Sequence, residues 1–296
     1  MTTRPADGIL LVDKPAGMSS HDVVNVARRA LGERRIGHAG TLDPFATGLL
    51  VVMVGRATRV LPYLQGEPKE YEATIRFGAE MDTEDLDGVV VRESALPTRE
   101  RIEAAMPALT GVVEQVPPAY SAKRIDGRRA YELARSGAVV ELAPVKVHVH
   151  EWRALSWRGP DSAVTELDVR IRCGGGTYIR SLARDLARLA DSAAHLVALR
   201  RTASGCFNVD EAASLDALRE GRVSLRSALD GLPDLARQSL DANDVARIVR
   251  GIAVSATVEG SLGALVHAET GALVAVAERR GELWQPRVVM REEQAA

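Results

Sequence analysis

Between Gly37 and Val54 the chain passes from a glycine-rich stretch into an unbroken apolar run, and one carboxylate stands at the change. The residues are Gly37-His38-Ala39-Gly40-Thr41-Leu42-Asp43-Pro44-Phe45-Ala46-Thr47-Gly48-Leu49-Leu50, continued by Val51-Val52-Met53-Val54. Gly48 to Val54 predicts a buried strand, and the glycines let backbone or a ligand approach closely. Pro44 fixes its own φ and biases Asp43 away from helical geometry. Asp43 is therefore expected on a rigid turn at a strand edge, the kind of anchored loop where chemistry sits. An Asp that only hydrogen-bonds its own turn fits the same local pattern.

A chain of 296 residues with 46% apolar content has room for one large domain and a small one. Aromatics are 4%, so the core must be mostly Val, Leu, Ile and Ala. The formal charge of −2 gives no global sign of a polyanionic partner, so local charge has to carry that argument. Cys173 and Cys206 lack zinc spacing and predict small buried residues in a reducing compartment. Neither a membrane-length apolar run nor a signal-peptide pattern is present, so a cytoplasmic protein is expected.

Ile9 to Val12 predicts a short buried strand. Ser19 and Asp22 resemble a capping box, Val23, Val24, Ala27 and Leu31 form an apolar stripe, and Gly32 supplies the stop. Arg28, Arg29, Arg34 and Arg35 surround the single acid Glu33, more positive charge than a helix dipole explains, and phosphate contact is one reading. Tyr71, Ala73, Ile75 and Phe77 alternate as one face of a strand. The acidic stretch Glu80 to Asp87 then suggests a hairpin at Asp87-Gly88, turned away from any RNA surface.

Arg99 to Leu109 predicts a helix and Val164 to Cys173 a strand. Thr177 to Ala190 predicts a helix with Ile179, Leu182, Ala183, Leu186 and Leu189 inward. On it Arg180, Arg184 and Arg188 recur every four residues, where like charges cost an isolated helix about 0.2–0.5 kcal/mol per pair. Arg188 has Asp185 within reach, which leaves a distant carboxylate or phosphate for Arg180 and Arg184. Lys123, Arg124, Arg128, Arg129 and Arg135 outnumber Asp126 and Glu132 in a basic island with a turn expected at Gly127 and a helical piece from Tyr131 to Ala134, either a mobile arm or a solvated face. From about residue 236 a short helix and three short strands predict a small β-rich domain. No phosphate-binding GxxxxGK[ST] occurs, and Gly37 to Gly40 lack the context of a dinucleotide site.

The run around Asp43 resembles the catalytic motif of the TruB-type tRNA pseudouridine synthases. Leu11 to Val24, Tyr71, Pro117 to Lys123, Gly127 to Arg135 and Gly176 to Leu182 match further motifs of that family in order, over roughly residues 8 to 205. The resemblance implies an α/β (α+β) fold, with a mixed, mostly antiparallel central sheet flanked by helices and loops. It implies a catalytic domain over 1–235 with a basic thumb loop at about 121–149, and a PUA-like domain over 236–296. The implied activity is isomerisation of uridine 55 in the tRNA T-loop, with tRNA as the partner and no cofactor or metal. Monomer is the default expectation. An RNA-folding module that opens the tRNA elbow without catalysis is the alternative; guide-dependent modification is disfavoured because Lys-rich tails are lacking.

Family positions carry over residue by residue. Asp43 corresponds to the essential aspartate, Arg180 to the arginine paired with it, and Tyr71 to the active-site tyrosine implicated in removing the C5 proton. His38, expected at the tip of the glycine loop, corresponds to the histidine that stacks in place of the flipped base. Lys14 and Lys123 match lysines near the RNA or the active-site turn, although Lys14 equally suits a loop brace. Tyr178 and Leu199 match pocket positions or are simply core, and Arg128 and Arg129 fall in the thumb. Where the family commonly has Cys-Ser-x-Gly, this chain has Cys173-Gly174-Gly175-Gly176, which loses a hydroxyl. Asp43 is left three routes: attack on C6, attack on C1′, or abstraction of the C2′ proton.

Overall fold

A computed structural model describes residues 7–121, 123–125, 128–129 and 142–290. The chain opens with β1 (Gly8–Lys14), α1 (Ser20–Leu31), β2 (Ile36–Ala39) and β3 (Thr47–Val54). Next come β4 (Lys69–Phe77), β5 (Ala79–Met81), β6 (Val90–Glu93), α2 (Arg99–Ala105) and β7 (Gly111–Gln115). They are followed by β8 (Arg124–Ile125), β9 (Arg128–Arg129), β10 (Val145–Arg158), β11 (Glu166–Cys173), α3 (Ile179–Leu189) and β12 (Ala194–Ser204). After β13 (Phe207–Asn208), β14 (Ala213–Ser214) and α4 (Leu215–Arg219), the last stretch holds β15 (Ala236–Leu240), α5 (Ala242–Val249), β16 (Val254–Ser255), β17 (Leu262–His267), β18 (Leu273–Arg280) and β19 (Leu283–Val289). Among the described residues no helix is long and apolar enough to cross a membrane.

Two compact units divide the chain: Met1–Asp43 with Leu49–Gly66 and Gly205–Ala296, and Pro44–Gly48 with Glu67–Ser204. In the first, β1 runs parallel to β14 and lies beside β3, while β2 is antiparallel to β3. Alternate residues of β1 face opposite ways. Leu10 and Val12 join Val23, Val24 and Ala27 of α1, whereas Ile9 and Leu11 join Leu49, Val51 and Met53 and, beyond them, Ala264, Val276 and Val288. The capping box at Ser19 and Asp22 forms, and Gly32 ends α1 in the left-handed conformation at φ 63°.

The C-terminal strands make a separate five-stranded sheet in the order β15-β17-β18-β19-β16, with Leu240, Ile248, Val274 and Trp284 in its apolar cluster. Strands β15 and β16 add to the three expected from sequence, and β15 pairs in parallel with β17.

In the second unit the order is β12-β4-β11-β10-β7, antiparallel at every step. Tyr71, Ala73, Ile75 and Phe77 are the buried residues of β4, as their alternation predicts. Helix α3 buries Ile179, Leu182, Ala183 and Leu186, but Leu189, expected inward, is exposed at its last turn. The hairpin at Asp87-Gly88 is present as β5 paired with β6. In the basic island β8 pairs with β9, Arg124 opposite Arg129. The predicted turn at Gly127, the helical piece from Tyr131 to Ala134 and Arg135 lie outside the described residues.

Candidate active site

Asp43 owes its place to the residue before it. Ser20, the first residue of α1, is buried, and its Oγ accepts from Leu42 N at 2.9 Å and donates to Leu42 O at 3.2 Å. The helix start thus fastens both backbone groups of Leu42 and leaves Asp43 half-buried, with Pro44 exposed. Ser20→Ala would strand two buried backbone groups, at a cost of about 1–3 kcal/mol. Its melting temperature is expected to fall by several degrees in a thermal scan, with a parallel loss of activity. Past the turn, Gly48 stands at φ 100°, and a Cβ there would lie 2.3 Å from Arg201 O.

Arg180 is almost fully buried. Its Nη1 donates to Thr83 O at 2.7 Å and lies 3.4 Å from Asp85 Oδ2, and its Nη2 donates to Tyr120 O at 3.0 Å. One turn on, Arg184 pairs with Glu84, donates Nε to Asp185 at 2.8 Å and reaches Val116 O at 3.0 Å. Another turn on, Arg188 holds Glu80 through Nε at 2.9 Å and Nη2 at 2.7 Å, and Arg92 reaches the same carboxylate at 2.7 Å. The acidic stretch faces α3, with Glu80, Glu84 and Asp85 all buried. One expectation is corrected here. Asp185 serves Arg184, not Arg188, because Glu80 offers Arg188 both oxygens.

Burial pushes the Glu84 carboxyl up, against the pull of Arg184, Ser181 and Arg180. Glu80 goes the other way: burial would raise it, but the hydrogen bonds from Arg188 and Arg92 hold it below its ordinary 4.5. A depressed native value means stability that is complete above the unfolded value and lost as pH falls through the folded one. Melting temperature is expected to drop below about pH 4.5, and Glu80→Gln should flatten that slope in scans across pH 3 to 6.

Tyr71 is buried in β4, opposite Arg201 of β12 and Ile171 of β11. Leu199, also buried, lies opposite Ala73. Tyr178 caps the start of α3, and the fully buried Gln115 clamps it there: Tyr178 N donates to Gln115 Oε1 at 2.9 Å, and Gln115 Nε2 donates to Tyr178 O at 3.1 Å. This clamp fixes the residues just before Arg180. Burial pushes the Cys173 thiol up to about 11, so it stays protonated and inert at neutral pH.

A model described as the TruB family pseudouridylate synthase N-terminal domain matches residues 28–179, slightly more than half of the chain. The chain belongs to the TruB family of pseudouridylate synthases. It is 45% identical over 290 residues to the tRNA pseudouridine synthase B of Thermobifida fusca, covering 96% of this chain and 98% of that one. The protein of the same name from Bradyrhizobium diazoefficiens is 41% identical over 307 residues, covering 96% and 86%. Among solved structures, a Cbf5-Nop10-Gar1 complex superposes with a TM-score of 0.69 at 24% identity, covering 96% of this chain and 85% of that one. An H/ACA RNP bound to a substrate RNA containing 2'-deoxyuridine gives 0.68 at 22% identity, covering 97% and 86%. These two likenesses establish the fold, and it is the mixed α/β pseudouridine synthase fold.

The TruB-type residues named from sequence are spread over both units. Asp43, Lys14 and His38 belong to the first; Tyr71, Lys123, Tyr178, Arg180 and Leu199 belong to the second. Lys14 is fully buried and donates to Pro15 O at 3.0 Å and Met18 O at 2.7 Å, the geometry of a turn brace. His38 is half-buried within β2, opposite Val52, rather than at a loop tip. Lys123 is half-buried, and Arg128 and Arg129 form the backbone of β9. Arg28 is a structural fastener that reaches Asn25 and Ile36 O, whereas Arg29, Arg34 and Arg35 are exposed. The TruB turn that lost its serine is still closed, by Thr177 Oγ1 to Gly174 O at 2.9 Å and Gly174 N to His148 O at 2.8 Å. Cys206, expected buried, is exposed, with its Sγ on Asp230 O at 3.3 Å.

Proposed function

We propose that this chain isomerises uridine 55 in the T-loop of tRNA to pseudouridine. The observation that carries the reading is 45% identity across nearly the whole length of a tRNA pseudouridine synthase B. The reaction breaks the N1–C1′ bond, turns the uracil, rejoins it through C5 and releases the C5 proton, so it needs no redox partner. In this reading Asp43 supplies the carboxylate at the sugar–base junction and Arg180 the cation that keeps it ionised. Tyr71 stacks on the detached base and handles the C5 proton. The target base must first leave its stack, at a cost of a few kcal/mol, and His38 fills the gap.

The rigid hold on Arg180 supports this assignment, since a guanidinium fixed by two carbonyls and a carboxylate is preorganised for a second anion. Lys123, Arg128 and Arg129 are read as part of a thumb that closes on the RNA. Tyr178 and Leu199 line the pocket, and Lys14 braces the turn after β1. Residues 1–235 are read as the catalytic domain. Residues 236–296 are read as a PUA-like RNA-binding appendage, which the separate sheet of β15 to β19 supports. The protein is read as a cytoplasmic monomer. Purified protein is expected to release tritium from C5-labelled tRNA and not from tRNA carrying cytidine at position 55. No release from the uridine-containing tRNA would end the proposal.

A further inference from the structure

We infer that Glu84, acting through Ser181 and Arg184, is the positioning residue that sets the guanidinium of Arg180. This rests on Arg180 acting in the reaction proposed above. The two residues flanking Glu84 both grip Arg180, alongside the carbonyl of Tyr120: Thr83 through its carbonyl at 2.7 Å and Asp85 through its carboxylate at 3.4 Å. Glu84 itself turns back onto the same helix. Its carboxylate accepts from Ser181 Oγ at 2.8 Å and pairs with Arg184 Nη1. One side chain therefore fastens the 83–85 turn to α3 at the residue after Arg180 and again one turn further on.

The backbone at Glu84 shows what that fastening overcomes. Its φ is 61°, a left-handed conformation that Gly or Asn adopts more readily than Glu. Glu84 N donates to Met81 O at 3.0 Å, and Glu84 O accepts from Leu196 N at 3.1 Å, so the strained residue is tied at every polar group. A buried ion pair is a poor choice for stability alone, because well-packed apolar residues in its place are often as stable or more so. Its advantage over an apolar pair is direction: it admits one register of turn against helix. Backbone strain held by surrounding contacts in this way is typical of functional sites.

Two variants separate positioning from folding. Glu84→Gln leaves Arg184 with Asp185 as its remaining counter-charge and is expected to lower the melting temperature. Glu84→Gln combined with Arg184→Met removes both charges and is expected to recover most of that loss. Both should turn over tRNA about ten- to a hundred-fold more slowly than wild type, with KM for tRNA changed less than about two-fold. The Arg180 Nε–H resonance, assigned by its disappearance in Arg180→Lys, should shift in both. A double variant with wild-type kcat, a kcat that recovers in step with melting temperature, or an unmoved Arg180 resonance would overturn the inference. Because the resonance is read without turnover, inactivity of the wild type would sink the proposed reaction and still leave this claim tested.

Discussion

Asp43→Asn is expected to reduce tritium release from C5-labelled tRNA by at least about a thousand-fold. Asn has nearly the same shape but no charge. Attack on C6, attack on C1′ and abstraction of the C2′ proton all need the ionised carboxylate. The turn should survive the change, because Leu42 is held through its backbone by Ser20 and not by the Asp43 side chain alone. Melting temperature should therefore stay close to wild type, and tRNA affinity, measured by filter binding, should change little. Full activity in this variant would remove Asp43 from the chemistry.

Gly48→Ala is expected to be among the most damaging single methyls in the described residues. Its Cβ would lie 2.3 Å from the carbonyl oxygen and 2.8 Å from the nitrogen of Arg201, and neither atom can swing aside as a flexible side chain would. The residue also holds φ at 100°, outside the range that L side chains readily adopt. Thr47 and Gly48 pair with Arg200 and Arg201, so relief of the overlap means parting that ladder. A loss of about 3–5 kcal/mol is expected, a fall of roughly 10 °C in melting temperature for a protein of this size. Circular dichroism melts check it, and a loss under 1 °C would show that the ladder yields easily.

What could be read from sequence was what depends on near neighbours. Ser19 and Asp22 announce the cap of α1, and the alternation from Tyr71 to Phe77 announces which face of β4 is buried, because each signal is complete within a few residues. The arginine ladder of α3 was legible as an unmet demand for negative charge, but not its answer. Arg184 and Glu84 are 100 residues apart in sequence, and Arg188 and Glu80 are 108 apart. Ser20 and Gln115 were missed for the same reason, since each works by bonding the backbone of a residue 22 or 63 positions away. His38 looked like a loop because glycines flank it, whereas its backbone is recruited by β3 as a strand partner. The parallel pairing of β15 with β17 leaves no local mark at all.

The neutralised ladder on α3 also bears on how the protein meets a polyanion in salt. Affinity for RNA weakens with ionic strength in proportion to the phosphates neutralised and the counterions released. Arg180, Arg184 and Arg188 already spend their charge on Glu80, Glu84 and Asp85, so they bring no such release to an arriving RNA. The steepness of that salt dependence therefore falls to cations outside this row, and a chain carrying three arginines in one helical row would bind RNA with a shallower slope than its row suggests.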